Sequence, residues 1–154
     1  MSWQKMSLNT LDIDWKITVP GFLGAHHAYD AIPPRPTHDH CLVVNTSPSR
    51  EAGDHWLAIA CKNGKIYFLD SYGRSIADFS FSDDFRQTIR EYVGSTKVIH
   101  NNRWLQSLTS NLCGDYCIYF LEELFRSSFK AMMSVFTDDS KDNDNFVSDY
   151  VQNM

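Results

Sequence analysis

Runs of apolar and β-branched residues separated by turn residues predict four strands in the centre of the chain. The first run, 41–45, is followed by Thr-Ser-Pro-Ser, which is typical of a buried strand that opens into a loop. The runs 55–61 and 65–70 flank Asn63-Gly64, and this dipeptide between apolar runs indicates a β-hairpin. The segment 96–100 predicts a fourth strand.

Two segments have the periodicity of amphipathic helices. Ser82 caps the first, Gly94 ends it, and its apolar positions are Phe85, Ile89, Tyr92 and Val93. The second begins at Cys113 and is predicted to turn Glu122 and Glu123 away from its apolar stripe of Tyr116, Cys117, Phe120, Leu121 and Leu124. Strands and helices together predict an α+β fold, with a small central mixed β-sheet flanked by helices.

The two ends of the chain have weaker patterns. Residues 1–37 carry Pro-Gly and Pro-Pro signals and are predicted to be an irregular segment. Residues 138–144 are acidic and predict a solvated link, and the last ten residues predict a short terminal helix. With 154 residues, 43% of them hydrophobic, the chain is long enough for one core, so we expect a single domain over 1–154.

Charge and cysteine content narrow the classes of function. The formal net charge of -5 argues against a general nucleic-acid-binding surface, since such affinity depends on Lys and Arg. No apolar stretch reaches the ~18 residues of a membrane span. Lys5, Asp12, Asp14 and Lys16 interrupt the first twenty residues, which predicts no secretory leader, an intracellular reducing compartment and free thiols. Two disulfides in a secreted domain are the alternative.

The predicted hairpin brings a histidine near a carboxylate. If Asn63 and Gly64 form a two-residue turn, strand residues equally distant from the turn face each other, so Leu57 faces Asp70. His55 lies on the same strand face as Leu57 and becomes the diagonal neighbour of Asp70. A carboxylate in that place would orient the imidazole and leave its other nitrogen free to act as a base.

The start of the second helix offers a nucleophile. Cys113 would lie at the positive end of the helix dipole, which favours a thiolate, and the small Gly114 allows close backbone approach. A histidine beside the thiol would complete an activated nucleophile, with Gln106 as an amide donor for an oxyanion. Taken singly, His55 and Cys113 are equally compatible with structural roles. Trp56 is either a core residue or a wall of the cleft.

Metal binding is the weaker alternative. His38, His40 and Cys41 have ligand chemistry, but their spacing matches no standard zinc arrangement, so we expect neither a metal nor another cofactor.

Two stretches resemble the adenovirus endopeptidases (adenains), cysteine proteases related in fold to the proteases that process SUMO and other ubiquitin-like proteins. The first stretch runs from Cys41 through Val44-Asn45-Thr46 and Arg50-Glu51 to Gly53 and His55-Trp56, and the second from Gln106 through Ser110 to Cys113-Gly114. The resemblance covers residues 41 to about 121. It implies that His55 is the catalytic base, Cys113 the nucleophile, Gln106 an oxyanion-hole donor and Asp70 the third member, with Trp56 and Gly114 near the substrate.

The chain departs from the adenovirus pattern in two places. Asp70 begins an Asp-Ser-Tyr-Gly turn where adenovirus enzymes commonly carry Glu, and this turn is nearer to the SUMO proteases. No cysteine occurs between Cys61 and Cys113, so the thiol that links the viral enzyme to its activating peptide has no counterpart. The acidic balance weakens the expectation of activation by DNA.

The resemblance implies a cysteine endopeptidase that cleaves structural precursor proteins of a virus or virus-like element, near Gly-containing sites and through an acyl-thioester. We expect a monomer, located in the virion or host nucleus. Two other functions stay open. One is a protease that removes ubiquitin-like proteins such as SUMO, and the other is a non-enzymatic binding module associated with capsids.

Overall fold

The structure is a computed structural model and describes residues 8–154. Its helices and strands follow in the order α1 (Thr10–Lys16), β1 (Phe22–His26), β2 (His40–Asn45), β3 (Trp56–Lys62), β4 (Lys65–Leu69), α2 (Asp83–Val93), β5 (Val98–His100), α3 (Cys113–Arg126), α4 (Phe129–Ser134) and α5 (Ser140–Gln152). A short 3-10 turn covers Tyr29–Ala31. No helix in this part of the chain combines the length and the apolar character needed to cross a bilayer.

The strands form one mixed sheet in the order β1-β2-β3-β4-β5. The inner pairs, β2 with β3 and β3 with β4, are antiparallel, whereas the outer pairs, β1 with β2 and β4 with β5, are parallel. Asn63 and Gly64 both have positive φ, as a tight turn between β3 and β4 requires. The α+β prediction with a central mixed sheet is confirmed.

Both faces of the sheet are covered. Val43, Ala58 and Leu69 pack against α3, which also carries the buried Phe120 and Leu121. The opposite face packs against α2, through Leu57, Ile59 and Phe68 from the strands and Phe85 and Ile89 from the helix. β3 therefore lies between two cores, which explains why its residues from 56 to 61 are all buried and show no alternation of polar and apolar side chains.

The predicted helix boundaries are largely correct. Ser82 Oγ accepts the Phe85 N–H and caps α2, and Gly94 ends it. α3 begins at Cys113 as the amphipathic pattern predicted. The prediction that Glu122 faces solvent is wrong, because its carboxylate is buried and accepts the Thr18 N–H at 2.7 Å.

The predicted irregular segment 1–37 is also wrong for much of its length. Residues 1–7 lie outside the described part, but α1 and β1 are regular elements. Asn9 and Asp12 form a capping box that starts α1, although a helix of 7 residues is too short for a clear hydrophobic repeat. β1 is a short edge strand and mostly half-buried, so its apolar pattern is weak.

The acidic link predicted at 138–144 requires a similar correction. Asp139 caps α5 by accepting the N–H groups of Lys141 and Asp142, so the helix begins at Ser140 rather than near 145. Asn143 and Asp144 are buried. Their polar side chains are hydrogen-bond partners inside the fold, and composition alone does not separate this use from exposure to solvent.

Candidate active site

The hairpin places His55 against Asp70. Ala58 pairs with Leu69 and Lys62 with Lys65, which is the register predicted from the Asn-Gly turn. Just beyond the last pair, His55 Nε2 lies 2.7 Å from Asp70 Oδ1. Asp70 is fully buried and His55 is 8% exposed. The contact expected from strand geometry is therefore present.

Several donors hold the Asp70 carboxylate. Its second oxygen, Oδ2, accepts Nε of Arg74 at 2.7 Å and the Arg74 backbone N–H at 3.2 Å, while Tyr72 N–H approaches Oδ1 at 3.3 Å. Asn101 fixes the backbone, since its side chain accepts the Asp70 N–H and donates to the Asp70 carbonyl. Burial raises the pKa of Asp70, but the bonds from His55 and Arg74 outweigh burial and lower it, so the carboxylate is ionised at neutral pH.

The His55 ring is influenced by both the carboxylate and the thiol. Nε2 lies 2.7 Å from Asp70 Oδ1, and Cys113 is close enough to contribute to the raised pKa of His55. Burial alone would lower the pKa of His55, yet the bonds to Asp70 and Cys113 prevail and raise it to about 9. Tyr72 stacks on the ring with centroids 4.9 Å apart. The imidazole is thus fixed in orientation and stabilised in its protonated form.

Cys113 occupies the first position of α3. The first N–H groups of a helix have no intrahelical acceptor, and Leu112 contributes no side-chain cap. Trp56 N–H points at Sγ, with a nitrogen to sulfur distance of 3.5 Å. The thiol therefore lies at an uncapped helix start and accepts a backbone N–H from β3.

Gly114 permits close packing at the same helix start. A Cβ atom at this position would lie 3.2 Å from Leu8 Cβ and 3.4 Å from Ile13 Cδ1. Its nearest neighbours are therefore side chains of this chain. Trp56 is buried at 8% exposure, and its Nε1 donates to the Leu8 carbonyl at 3.0 Å, so its ring closes one side of the cleft beside Cys113.

Gln106 is buried beside the site and already has partners. Its Oε1 accepts Ser71 Oγ at 2.6 Å, and its Nε2 donates to the carbonyl and hydroxyl oxygens of Ser110 at 3.1 and 3.0 Å. The Ser71 carbonyl accepts the N–H groups of both Leu105 and Gln106. The described hydrogen bonds of the Gln106 side chain thus go to Ser71 and Ser110 and not to Cys113.

Residues near the C-terminal end hold the backbone on both sides of Gln106. Tyr116 Oη donates to Asp144 Oδ1 at 2.8 Å, and the same carboxylate oxygen accepts the Ser107 N–H at 3.3 Å. Asn143 donates to the Leu105 carbonyl at 3.3 Å. Helices α3 and α5 therefore position the Gln106 segment.

The Asp-Ser-Tyr-Gly turn contacts this segment directly. Gly73 has φ +73°, and a Cβ atom there would lie 2.5 Å from the Arg103 carbonyl oxygen, so only glycine fits. Next to this contact, the half-exposed Trp104 ring lies 5.1 Å from Tyr72. The turn joins the histidine side of the site to the glutamine side.

Two cavities flank His55 and Cys113. One, of about 290 Å³, opens beside His55 and is lined among others by Arg50, Asp54 and Arg74. The other, of about 370 Å³, opens beside Cys113, with Trp56 and Leu8 in its wall. Within residues 8–154, no group of three or more His, Cys, Asp or Glu side chains is arranged to hold a metal ion.

The sequence patterns did not identify Arg74, Asn101 and Asp144 as parts of the site. Arg74 lies four residues after Asp70 in a turn, where spacing could have drawn attention to it. Asn101 directly follows β5, and polar residues at strand ends often carry function. Asp144 gave no usable signal, because it belongs to a run of polar residues.

Comparison with known proteins finds similarity to adenovirus proteases, both in a family model and in individual proteins. The family model of the adenovirus endoprotease matches residues 15–140. The chain is 30% identical over 89 residues to a protein named Protease from bovine adenovirus 2. This alignment covers 53% of this chain and 43% of that protein. It is 28% identical over 121 residues to Protease from bovine adenovirus 4, covering 73% and 55%.

The chain spans about half the length of these curated relatives. The family match nevertheless includes His55, Asp70, Gln106 and Cys113 and extends over most of the chain. The chain belongs to the adenovirus endoprotease family.

Proposed function

We propose that this protein is a cysteine endopeptidase in which Cys113 is the nucleophile, His55 the general base and acid, and Asp70 the residue that orients His55. One observation carries the proposal: His55 Nε2 lies 2.7 Å from the buried Asp70 carboxylate, which leaves the other ring nitrogen for Cys113, a thiol that contributes to the raised pKa of His55. This arrangement is the common requirement of thiol proteases.

The reaction starts from an ion pair, in which the proton of Cys113 Sγ has already passed to the His55 ring nitrogen that does not face Asp70. The thiolate attacks the carbonyl carbon of the scissile peptide, and the imidazolium donates its proton to the departing amine as the C–N bond breaks. An acyl-thioester remains on Cys113. His55 then takes a proton from water, the hydroxide attacks the thioester, and the thiol is restored as the acid product leaves.

The oxyanion formed in both steps needs donors. The backbone N–H of Cys113, at the start of α3, supplies one. Gln106 Nε2 supplies the second in this proposal by exchanging its bond to Ser110 for one to the substrate oxygen. The bond from Ser71 would keep the amide in place during that exchange.

The two halves of the substrate, on either side of the scissile bond, bind in different cavities. The acyl half stays bonded to Cys113, so it lies in the hollow walled by Trp56 and Leu8. The leaving amine takes its proton from His55, so the chain after the scissile bond passes the hollow that His55 lines. Trp56 narrows the acyl side, which favours small residues there, in agreement with cleavage at Gly-containing sites.

Family membership supports viral or virus-like structural precursors as substrates, with action in the virion or the infected cell nucleus. The relatives are adenovirus proteins named Protease. We further propose that the enzyme is monomeric. The net charge of -5 gives no support for activation by DNA.

The test uses purified wild type and Cys113→Ala on a set of Gly-containing peptides, with mass spectrometry to identify cleavage points. We expect wild type to cleave and Cys113→Ala to be inactive. Cys61→Ala is the matched control, since Cys61 is also a buried free thiol and should not affect cleavage. Equal activity of the Cys113 and Cys61 variants would refute the nucleophile assignment.

A second candidate function is removal of ubiquitin-like modifiers, which the Asp-Ser-Tyr-Gly form of the turn favours. Electrophilic probes built on SUMO or ubiquitin would label Cys113 under this function, whereas Gly-rich peptide probes alone would label it under the first. If Cys113 reacts with small thiol reagents no faster than Cys61, the chain is a binding module instead.

A further inference from the structure

Arg74 forms the second ion pair of the Asp70 carboxylate. Its Nε lies 2.7 Å from Oδ2, while His55 Nε2 lies 2.7 Å from Oδ1. Asp70 is fully buried and the Arg74 side chain is 23% exposed. One buried negative charge is therefore shared by a permanent cation and by the group that must gain and lose a proton.

Aromatic rings keep the guanidinium in this place. Arg74 Cζ lies 4.3 Å from the Phe81 ring centroid and 5.5 Å from that of Tyr72. Its Nη1 donates to Ser80 Oγ at 3.3 Å. Since only 23% of the Arg74 side chain is exposed, its charge is felt more strongly at Asp70 than a fully exposed charge would be.

We propose that Arg74 is a positioning residue that shares the Asp70 carboxylate with His55 and thereby limits how firmly the site holds the imidazolium. A carboxylate facing His55 alone would bind the ring proton too tightly for rapid transfer to the leaving amine. The guanidinium withdraws part of that negative potential. This role rests on the proposed function, because the proton in question is the one that His55 delivers.

The charges around the pair are few. His55 faces Asp70, Cys113 and the stacked Tyr72. Arg74 faces Asp70 and lies close enough to Asp78 to stabilise its charged form. Arg50, Glu51, Asp54 and Asp84 line the hollow beside His55. Among these groups, Arg74 is the cation that touches the catalytic carboxylate.

The test measures the titration of the His55 ring by NMR with labelled histidine, in protein carrying Cys113→Ala so that the thiol does not titrate with it. The His55 signal is assigned by its loss in His55→Gln. Two neutral variants, Arg74→Met and Arg74→Gln, are compared with Arg74→Lys, which keeps the charge. Arg86→Met is the control, since Arg86 pairs with the exposed Asp83 on α2.

Both neutral variants are expected to raise the His55 midpoint by about 0.5–1 pH unit, since a nearby positive charge disfavours the imidazolium. The His55 midpoint in Arg74→Lys should stay close to that of the parent protein, and Arg86→Met should leave the midpoint unchanged. An unchanged or lowered midpoint in the neutral variants would overturn the proposal, as would an equal shift in Arg74→Lys. Two neutral variants are used so that one misfolded protein does not remove the test.

Activity gives a second readout with Cys113 restored. The alkaline limit of kcat/KM should move upward in the neutral variants by the same amount, whereas loss of structure alone would lower activity at every pH equally. If wild type cleaves no substrate, the proposed function fails, but the NMR titration still decides the role of Arg74.

Discussion

His55 and Asp70 lie just beyond the paired strands of one hairpin, whereas Cys113 begins a helix and Gln106 lies in the loop that precedes it. The contact between His55 and Asp70 follows from the register of β3 and β4. The second pair depends on Ser71, Tyr116, Asn143 and Asp144, which belong to three separate parts of the chain. Local geometry thus supplies the proposed base, and tertiary packing places the proposed oxyanion donor.

The hairpin pair should be the more sensitive to loss of charge. Asp70→Asn keeps the shape but removes the charge that stabilises imidazolium, and we expect kcat/KM to fall about 10³–10⁴-fold. Asp54→Asn is the matched control, because Asp54 is exposed and adjacent to His55 in sequence. Steady-state kinetics on a cleaved peptide provide the measurement. Similar losses in both variants would remove Asp70 from the mechanism.

The pH dependence of stability tests the same pair without catalysis. The pKa of His55 is raised from 6.5 to about 9, so the stabilisation is complete below about pH 6.5 and is lost as pH rises through 9. The difference in unfolding free energy between wild type and His55→Gln should therefore shrink by about 2–3 kcal/mol between pH 6 and 10. Urea unfolding at pH 6, 8 and 10 measures it.

Gln87→Ala provides the control for this titration, because Gln87 is exposed and does not ionise, so its difference in unfolding free energy should not vary in this way. A constant difference for His55→Gln over the same range would contradict the ion pair.

On the loop side, Gln106→Ala should lower kcat about 10²-fold if its amide stabilises the oxyanion. It should also cost about 1–3 kcal/mol of stability, because the hydroxyl of Ser71 loses a buried partner. Kinetics and urea unfolding measure the two effects. Gln87→Ala, on the exposed side of α2, should produce neither. A loss of stability with unchanged kcat would restrict Gln106 to a structural role.

The smallest effect is expected from the packing that holds the loop. Tyr116→Phe removes the bonds of Oη to Asp144 and to the Leu105 carbonyl, and should cost about 1 kcal/mol and lower kcat only a few-fold. Tyr119 lies on α3 like Tyr116, but its hydroxyl donates to the Met132 carbonyl at 2.7 Å, away from the loop. Tyr119→Phe should therefore lose a similar amount of stability and leave kcat unchanged. If kcat were the same in the two variants, the contact of Tyr116 with α5 would have no effect on the site.

The same contrast explains what could be predicted from the sequence. The Asn-Gly turn fixed the register, so the contact of His55 with Asp70 followed from counting residues. The amphipathic repeat located Cys113 at the start of α3. The bond of Gln106 to Ser71 and the fixing of Asp70 by Asn101 join residues 31 or more positions apart, and no local pattern specifies them.

Errors at the two ends have a related cause. The residues 138–144 are polar, and a polar side chain is equally suited to solvent and to a buried hydrogen bond. Asp144 takes the second option, and its burial depends on Tyr116, which lies 28 residues earlier. Similarly, α1 is established by its capping box and by packing of Ile13 rather than by a long apolar repeat.

Gly73 gives the two sides of the cleft a fixed separation. The backbone of the turn rests on the Arg103 carbonyl at a distance that excludes even a methyl group. Alanine at this position would push the loop that bears Trp104 away from Tyr72 and widen the entrance over His55. The absence of a Cβ atom at Gly73 thus sets the width of the cleft.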